Sequence, residues 1–140
     1  MAKQVRDLMS KKVVKVPSAA PIAEAARQMR AANVGAVVVE ENGHPCGIVT
    51  DRDIAVRAVA DGRDLQKTAI KEICSKELVT MSPDDTIDRA IQSMREKAVR
   101  RLLVVDSRNE TVGMLSIGDL AIERDAKSVL GQISAAPPNQ

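Results

Sequence analysis

The chain has 140 residues, with 21 basic and 19 acidic residues, one histidine, two cysteines and no Phe, Trp or Tyr. The near balance of charge and the lack of aromatic side chains argue against nucleic-acid binding through a basic surface or base stacking. No apolar run reaches the length of a membrane span, so we expect no membrane interaction either.

The same composition limits catalysis and metal binding. One histidine and two scattered cysteines, Cys46 and Cys74, offer few nucleophile–base pairs and no metal or redox spacing. The N-terminus lacks the apolar run of a signal peptide, and unpaired thiols fit a reducing compartment. We therefore expect a cytoplasmic protein that is not an enzyme, has no catalytic residue, holds no metal and requires no cofactor.

An internal repeat organises the whole chain. Residues 5–41 align with residues 70–106, and after one extra residue in the second copy, residues 47–55 align with residues 113–121. So long a register is a strong sign of duplication. We predict one repeat over residues 5–61, a second over residues 68–125, and a disordered tail over residues 134–140.

Each copy predicts the element order β-α-β-β-α. A short β-rich run (residues 13–16 or 78–81) leads through a proline-containing turn into a helix with apolar residues at helical spacing. Pro21 suits a first helical position, and Thr86 suits an N-cap.

The middle of each copy predicts a buried hairpin. The continuous apolar runs at residues 36–39 and 102–105 are typical of strands buried on both faces. A polar turn then leads to a strand that ends at Thr50 or Ser116, where a final helix begins. A copy of roughly 55 residues buries little core alone. We therefore predict a mixed α/β (α+β) fold in which the two repeats pack as one pseudo-two-fold module.

A recurrent motif ends the second hairpin strand of each copy. The first copy has Gly47, Thr50 and Asp53 at a spacing that the second copy repeats as Gly113, Ser116 and Asp119. One interpretation is a capped helix start, in which hydroxyl and carboxylate satisfy backbone amides. The other is a nucleotide site, in which the hydroxyl donates to a phosphate and the carboxylate accepts from a ribose diol. The glycine allows another backbone to approach closely.

Two adjacent arginines distinguish the second copy. Arg100 and Arg101 enter the apolar strand, where neighbouring side chains point to opposite faces, so one of them can face a cleft. The first copy has Gly35 and Ala36 at these positions. Two clefts would therefore differ, and the one with an arginine suits a di- or triphosphate better.

The chain resembles a tandem pair of CBS domains. Three features carry the resemblance: the doubled β-α-β-β-α copies, the strand starts at residues 13–17 and 78–83, and the Gly-x-x-Thr/Ser-x-x-Asp motif that ends each copy. The resemblance covers residues 5–125 and is closest to the stand-alone bacterial and archaeal type. It departs from the family pattern at Val38 and Leu103, where a proline is common.

The resemblance implies a regulatory module with two clefts for an adenine nucleotide or adenosyl compound: AMP, ADP, ATP, NAD or S-adenosylmethionine. Carried over by position, one cleft would use Ser116, Asp119 and Arg101, with Val14 and Val34 against the base. The other would use Thr50 and Asp53, with Val79 and Val99. The resemblance further implies a homodimer, paired through helix faces around residues 54–59 and 120–122, and an effector protein. A structural or protein-interaction module with empty clefts stays open as the alternative.

Overall fold

The computed structural model describes residues 3–124, and the chain divides into two compact units. The first unit is Val13–Leu78. The second unit combines the segment that ends at Lys12 with the chain from Val79 onward. The predicted tail, residues 134–140, lies outside the described residues.

Both units contain the predicted order of strands and helices. A one-turn helix, α1 (Val5–Leu8), precedes them and belongs to the second unit. The first unit contains β1 (Lys15–Pro17), α2 (Ile22–Ala32), β2 (Ala36–Glu41), β3 (His44–Thr50), α3 (Asp51–Asp53), a π-helix (Ile54–Val59) and a 3-10 turn (Ile70–Glu72). The second unit contains β4 (Thr80–Met81), α4 (Ile87–Lys97), β5 (Arg101–Val105), β6 (Thr111–Ser116) and α5 (Ile117–Arg124).

Each unit has a three-stranded sheet of the same topology. β1 pairs parallel with β2, which pairs antiparallel with β3, and β4, β5 and β6 repeat this arrangement. The middle of each central strand is buried on both faces, as predicted: Val37, Val38 and Val39 have 0% exposure, and so do the equivalent residues of β5. β3 is an edge strand of the first sheet, and β6 is the equivalent edge strand of the second.

The helices that cover the sheets begin and end for local reasons. Ile22, Ala25 and Met29 form the buried face of α2, which ends at Asn33 with a left-handed φ of 55°. The predicted N-cap of α4 is confirmed, because Thr86 Oγ1 accepts a hydrogen bond from the Arg89 amide at 3.2 Å. The prediction for Pro21 was one residue out: it is the N-cap of α2 and not its first residue.

The segment that begins each repeat pairs with a strand far away in the sequence. We call residues 70–78 the connector. Ser75 of the connector pairs with Ile48 of β3, and Ser10 pairs with Met114 of β6. Residues 5–12, which align with the start of the connector, therefore lie in the unit built from the second copy. Sequence periodicity carries no information on this choice of partner.

The close approach predicted for the two motif glycines is confirmed. A Cβ on Gly47 would lie 2.7 Å from Cys74 Sγ and 2.9 Å from the Ser75 carbonyl oxygen. A Cβ on Gly113 would lie 2.5 Å from Met9 Sδ and 3.1 Å from the Ser10 carbonyl oxygen. Only glycine leaves room for the segment that pairs with β3 in the first unit and with β6 in the second.

The helix that ends the first repeat buries Ala58 and exposes two valines. Its hydrogen bonds run from the amide of residue i+5 to the carbonyl of residue i, as from Ala60 to Ala55, and Ala58 has 0% exposure. Val56 and Val59 are 50% and 58% exposed. In the second repeat, Leu120 is buried in the core of its own unit, and the pairing of helix faces into a dimer stays a prediction. No helix among the described residues is long and apolar enough to cross a membrane.

Candidate functional site

The first motif forms a reciprocal capping box at the end of β3. The Asp53 amide donates to Thr50 Oγ1 at 3.1 Å, and the Thr50 amide donates to Asp53 Oδ2 at 2.9 Å. Both residues are half-buried. The structural interpretation of this motif is therefore confirmed: hydroxyl and carboxylate satisfy two amides at the helix start.

The second motif repeats this geometry with one addition. The Ser116 amide and Ser116 Oγ both donate to Asp119 Oδ2, at 2.8 and 3.0 Å, and the Asp119 amide is 3.3 Å from Ser116 Oγ. Arg101 is the direct cross-strand partner of Ser116, so the two side chains lie on the same face of the sheet. Arg101 is exposed. The second unit therefore places Ser116, Asp119 and Arg101 near the end of β6.

In the first unit, the residue that pairs with Thr50 is Ala36. It holds the position that Arg101 holds in the second unit. The predicted chemical difference between the two copies is thus present within the units: one strand end carries a cation, and the other carries a methyl group.

The four predicted valines are half-buried, and each leaves part of its surface accessible. Val14 and Val34 lie in the first unit with Thr50 and Asp53, whereas Val79 and Val99 lie in the second unit with Arg101, Ser116 and Asp119. Val34 and Val99 both follow the left-handed residue that ends a helix. The clefts implied by the family resemblance combine residues of both units, and that grouping stays a prediction.

Sequence reasoning missed one residue next to the first motif. Arg57 Nε lies 3.8 Å from Asp53 Oδ1, and Arg57 Nη1 donates to the Ile73 carbonyl at 3.3 Å. The carboxylate of the motif therefore faces an arginine that also binds the connector. The spacing i, i+4 between Asp53 and Arg57 is the signal that could have identified the pair.

Both thiols face one cavity of the first unit. Cys46 and Cys74 line a space of about 620 Å³ together with Ser18, Glu41 and Lys71. Burial raises the pKa of the Cys46 thiol, and it also raises the pKa of the Cys74 thiol. Neither thiol is therefore activated as a nucleophile at neutral pH. Among the described residues, no group of three His, Cys, Asp or Glu side chains could hold a metal ion.

Comparison with known proteins identifies the repeat. The CBS domain family model matches residues 5–59 and again residues 70–125. The CBS domain-containing protein YhcV of Bacillus subtilis is 42% identical over 127 residues, which cover 91% of this chain and 89% of that protein.

Solved structures agree with this assignment. The CBS domain pair of protein MJ0100, in complex with 5′-methylthioadenosine and S-adenosyl-L-methionine, has a TM-score of 0.78 at 27% identity and covers 91% of this chain and 100% of its own. The hexameric CBS-CP12 protein from bloom-forming cyanobacteria has a TM-score of 0.76 at 26% identity, with 86% of this chain and 67% of that chain covered.

Proposed function

Because the chain belongs to the CBS domain family, we propose that it is a regulatory module that binds an adenine nucleotide or adenosyl compound. The candidates are AMP, ADP, ATP, NAD and S-adenosylmethionine. The observation that carries the proposal is the second motif, where Ser116, Asp119 and Arg101 come together at one strand end. The adenosyl ligands of the similar MJ0100 pair support the choice of ligand class.

The capping role leaves these groups able to bind a ligand. A carboxylate has two oxygens with about four acceptor positions in total. Among the described residues, Asp119 receives its hydrogen bonds on Oδ2. The remaining acceptor capacity suits the two hydroxyl groups of a ribose, and Arg101 suits a phosphate through a bidentate pair.

The base would be held without aromatic stacking. The chain has no aromatic residue, so adenine would contact the accessible surfaces of Val14, Val34, Val79 and Val99 and backbone polar groups. Such contacts give less binding energy than stacking on a ring, and we expect dissociation constants on the order of micromolar or weaker.

The two copies would prefer different ligands. The second motif, with Arg101, favours ligands with two or more phosphates. The first motif has Ala36 in place of the arginine, and its carboxylate already faces Arg57. It therefore favours a monophosphate or an uncharged adenosyl group.

The module would act in signalling and not in catalysis. Both thiols have a raised pKa, which argues against a cysteine nucleophile. The ligand would stabilise one conformation or oligomer over another, and an effector protein would recognise that state. We further propose a cytoplasmic homodimer: the two unpaired cysteines suit a reducing compartment, and the exposed Val56, Val59 and Ile117 offer apolar contact surface.

An interaction module without a ligand is the second candidate. One observation favours it: each motif is already satisfied as a capping box, so its geometry does not require a bound molecule.

The absence of Trp and Tyr makes a direct test possible. The protein absorbs almost nothing at 280 nm, so a band near 260 nm in the purified protein belongs to a bound nucleotide, which heat release and mass spectrometry would identify. Asp119→Ala should reduce the amount retained. A blank spectrum, together with no shift of the melting temperature on adding AMP, ATP, NAD or S-adenosylmethionine, would support the second candidate.

A further inference from the structure

The connector is held against the rest of the first unit by backbone hydrogen bonds and by buried side chains. Ser75 exchanges two hydrogen bonds with Ile48, at 3.0 and 3.1 Å, and the amides of Ile70 and Lys71 donate to the Ala20 and Ser18 carbonyls at 2.7 and 3.1 Å. Ile73 and Cys74 lie in the core, with 2% and 8% exposure. The connector continues directly into Val79 and β4, and it is one of the two places where the chain passes from one unit to the other; the second place is between Lys12 and Val13.

Arg57 joins this connector to the first motif. Its Nη1 donates to the Ile73 carbonyl, and its Nε lies 3.8 Å from Asp53 Oδ1. The Arg57 side chain is 54% exposed, so the guanidinium is held by these two partners and not by burial. The planar guanidinium fork can serve two acceptors at once, which a lysine cannot do in the same geometry.

We propose that Arg57 is a positioning residue that couples occupancy of the Asp53 carboxylate to the stability of the connector. Asp53 orients the guanidinium, and the guanidinium holds the Ile73 carbonyl. A donor that occupies Asp53 Oδ1 removes this orientation and loosens the connector. That the donor is a ribose hydroxyl rests on the proposed function. The link from Asp53 through Arg57 to Ile73 is independent of the proposed function.

The repeat supplies an internal contrast. In the alignment of the two copies, Glu123 stands where the first copy has Arg57. The second motif has the same capping box but no arginine at this position. The helix after the first motif also has π geometry over Ile54–Val59, a departure that often marks functional segments. The coupling is therefore assigned to the first repeat alone.

Amide hydrogen exchange of Ser75, whose amide donates to the Ile48 carbonyl, reports the stability of the connector. We expect Arg57→Gln to raise the exchange rate of the Ser75 amide about three- to tenfold in the ligand-free protein. The effect is small because the contact that is lost is partly exposed to solvent. Asp53→Asn should raise it in the same direction, because asparagine keeps an acceptor for the Thr50 amide but loses the attraction for Arg57. In the double variant, Asp53→Asn should add nothing.

Three controls make the test specific. Asp119→Asn changes the matching capping box, where Glu123 and not an arginine stands four residues later, and Arg27→Gln removes an exposed arginine that pairs with Glu24. Both should leave Ser75 exchange unchanged. Arg57→Lys keeps the charge but not the fork, so it should raise the rate as Arg57→Gln does.

An unchanged rate in Arg57→Gln would overturn the proposal, and so would additive effects of Asp53→Asn and Arg57→Gln. Saturable binding of any of AMP, ATP, NAD and S-adenosylmethionine is measured separately by equilibrium dialysis of the wild-type protein. Its absence would refute the proposed function, while the exchange rates of the Arg57 variants would still decide the role of Arg57.

Discussion

Replacement of Gly47 by alanine tests the packing that fixes the connector. The added Cβ would lie 2.7 Å from Cys74 Sγ, 2.9 Å from the Ser75 carbonyl oxygen and 3.1 Å from Cys74 Cβ. Two of these atoms cannot move without the backbone. We expect the connector to shift away from β3 and to weaken both hydrogen bonds between Ser75 and Ile48.

The magnitude follows from those contacts. Two backbone hydrogen bonds at about 0.5–1.5 kcal/mol each give about 1–3 kcal/mol, which agrees with the usual cost of overpacking of about 1–3 kcal/mol. We therefore expect Gly47→Ala to lower the free energy of unfolding by about 2 kcal/mol. Urea unfolding followed by far-ultraviolet circular dichroism measures this, since the chain has no aromatic reporter.

A matched glycine elsewhere provides the control. A Cβ on Gly118 meets only Ser116 Oγ, at 3.5 Å, and the residue lies in α5. Gly118→Ala should therefore be neutral or stabilise the protein by up to about 1 kcal/mol. If Gly47→Ala unfolds at the same urea concentration as the wild type, the close approach of the connector is refuted.

Three further predictions concern a cap, a strand-end arginine and the thiols. Thr86→Ala should lower the free energy of unfolding by about 1 kcal/mol in the same urea assay, because it removes the acceptor for the Arg89 amide; no loss would contradict the cap. Arg101→Ala should weaken ATP about five- to tenfold more than AMP in calorimetric titration, because it removes a charged phosphate partner; equal losses would contradict its role. The pKa of Cys46 and of Cys74 is raised in the folded protein above the ordinary value of 9.0. The unfolded chain therefore releases these protons first, and the free energy of unfolding should fall as pH rises above 9.0. A Cys46→Ala/Cys74→Ala variant should lose that part of the decline, and an identical slope would contradict the assignment.

Local pattern was sufficient to predict the strands and the main helices of each repeat, but not α1 or the 3-10 turn that begin the two copies. The valines of β2 form an unbroken apolar run because that strand is buried on both faces, and β5 repeats the pattern. The helix starts that follow Thr50 and Ser116 were also predictable, because a capping box depends on two residues three positions apart. Such features need only neighbours in the sequence.

Long-range choices were not predictable from the same patterns. Residues 5–12 lie in the second unit, where Ser10 pairs with β6. The connector lies in the first unit, where Ser75 pairs with β3. Both strands are far away in the sequence. The π geometry of the helix over Ile54–Val59 was not predicted by its apolar spacing either. The spacing of Asp53 and Arg57 was visible, but the second partner of Arg57, the Ile73 carbonyl, was not.

Binding of adenosyl ligands to the wild-type protein and to an Asp53→Ala/Asp119→Ala variant tests the central claim most directly. Isothermal titration with AMP, ATP, NAD and S-adenosylmethionine should show saturable binding of at least one of them to the wild type. The double variant should bind that ligand at least tenfold more weakly while retaining its far-ultraviolet spectrum. Saturable binding of equal strength to both proteins, or no binding of any of the four to the wild type, would contradict the account.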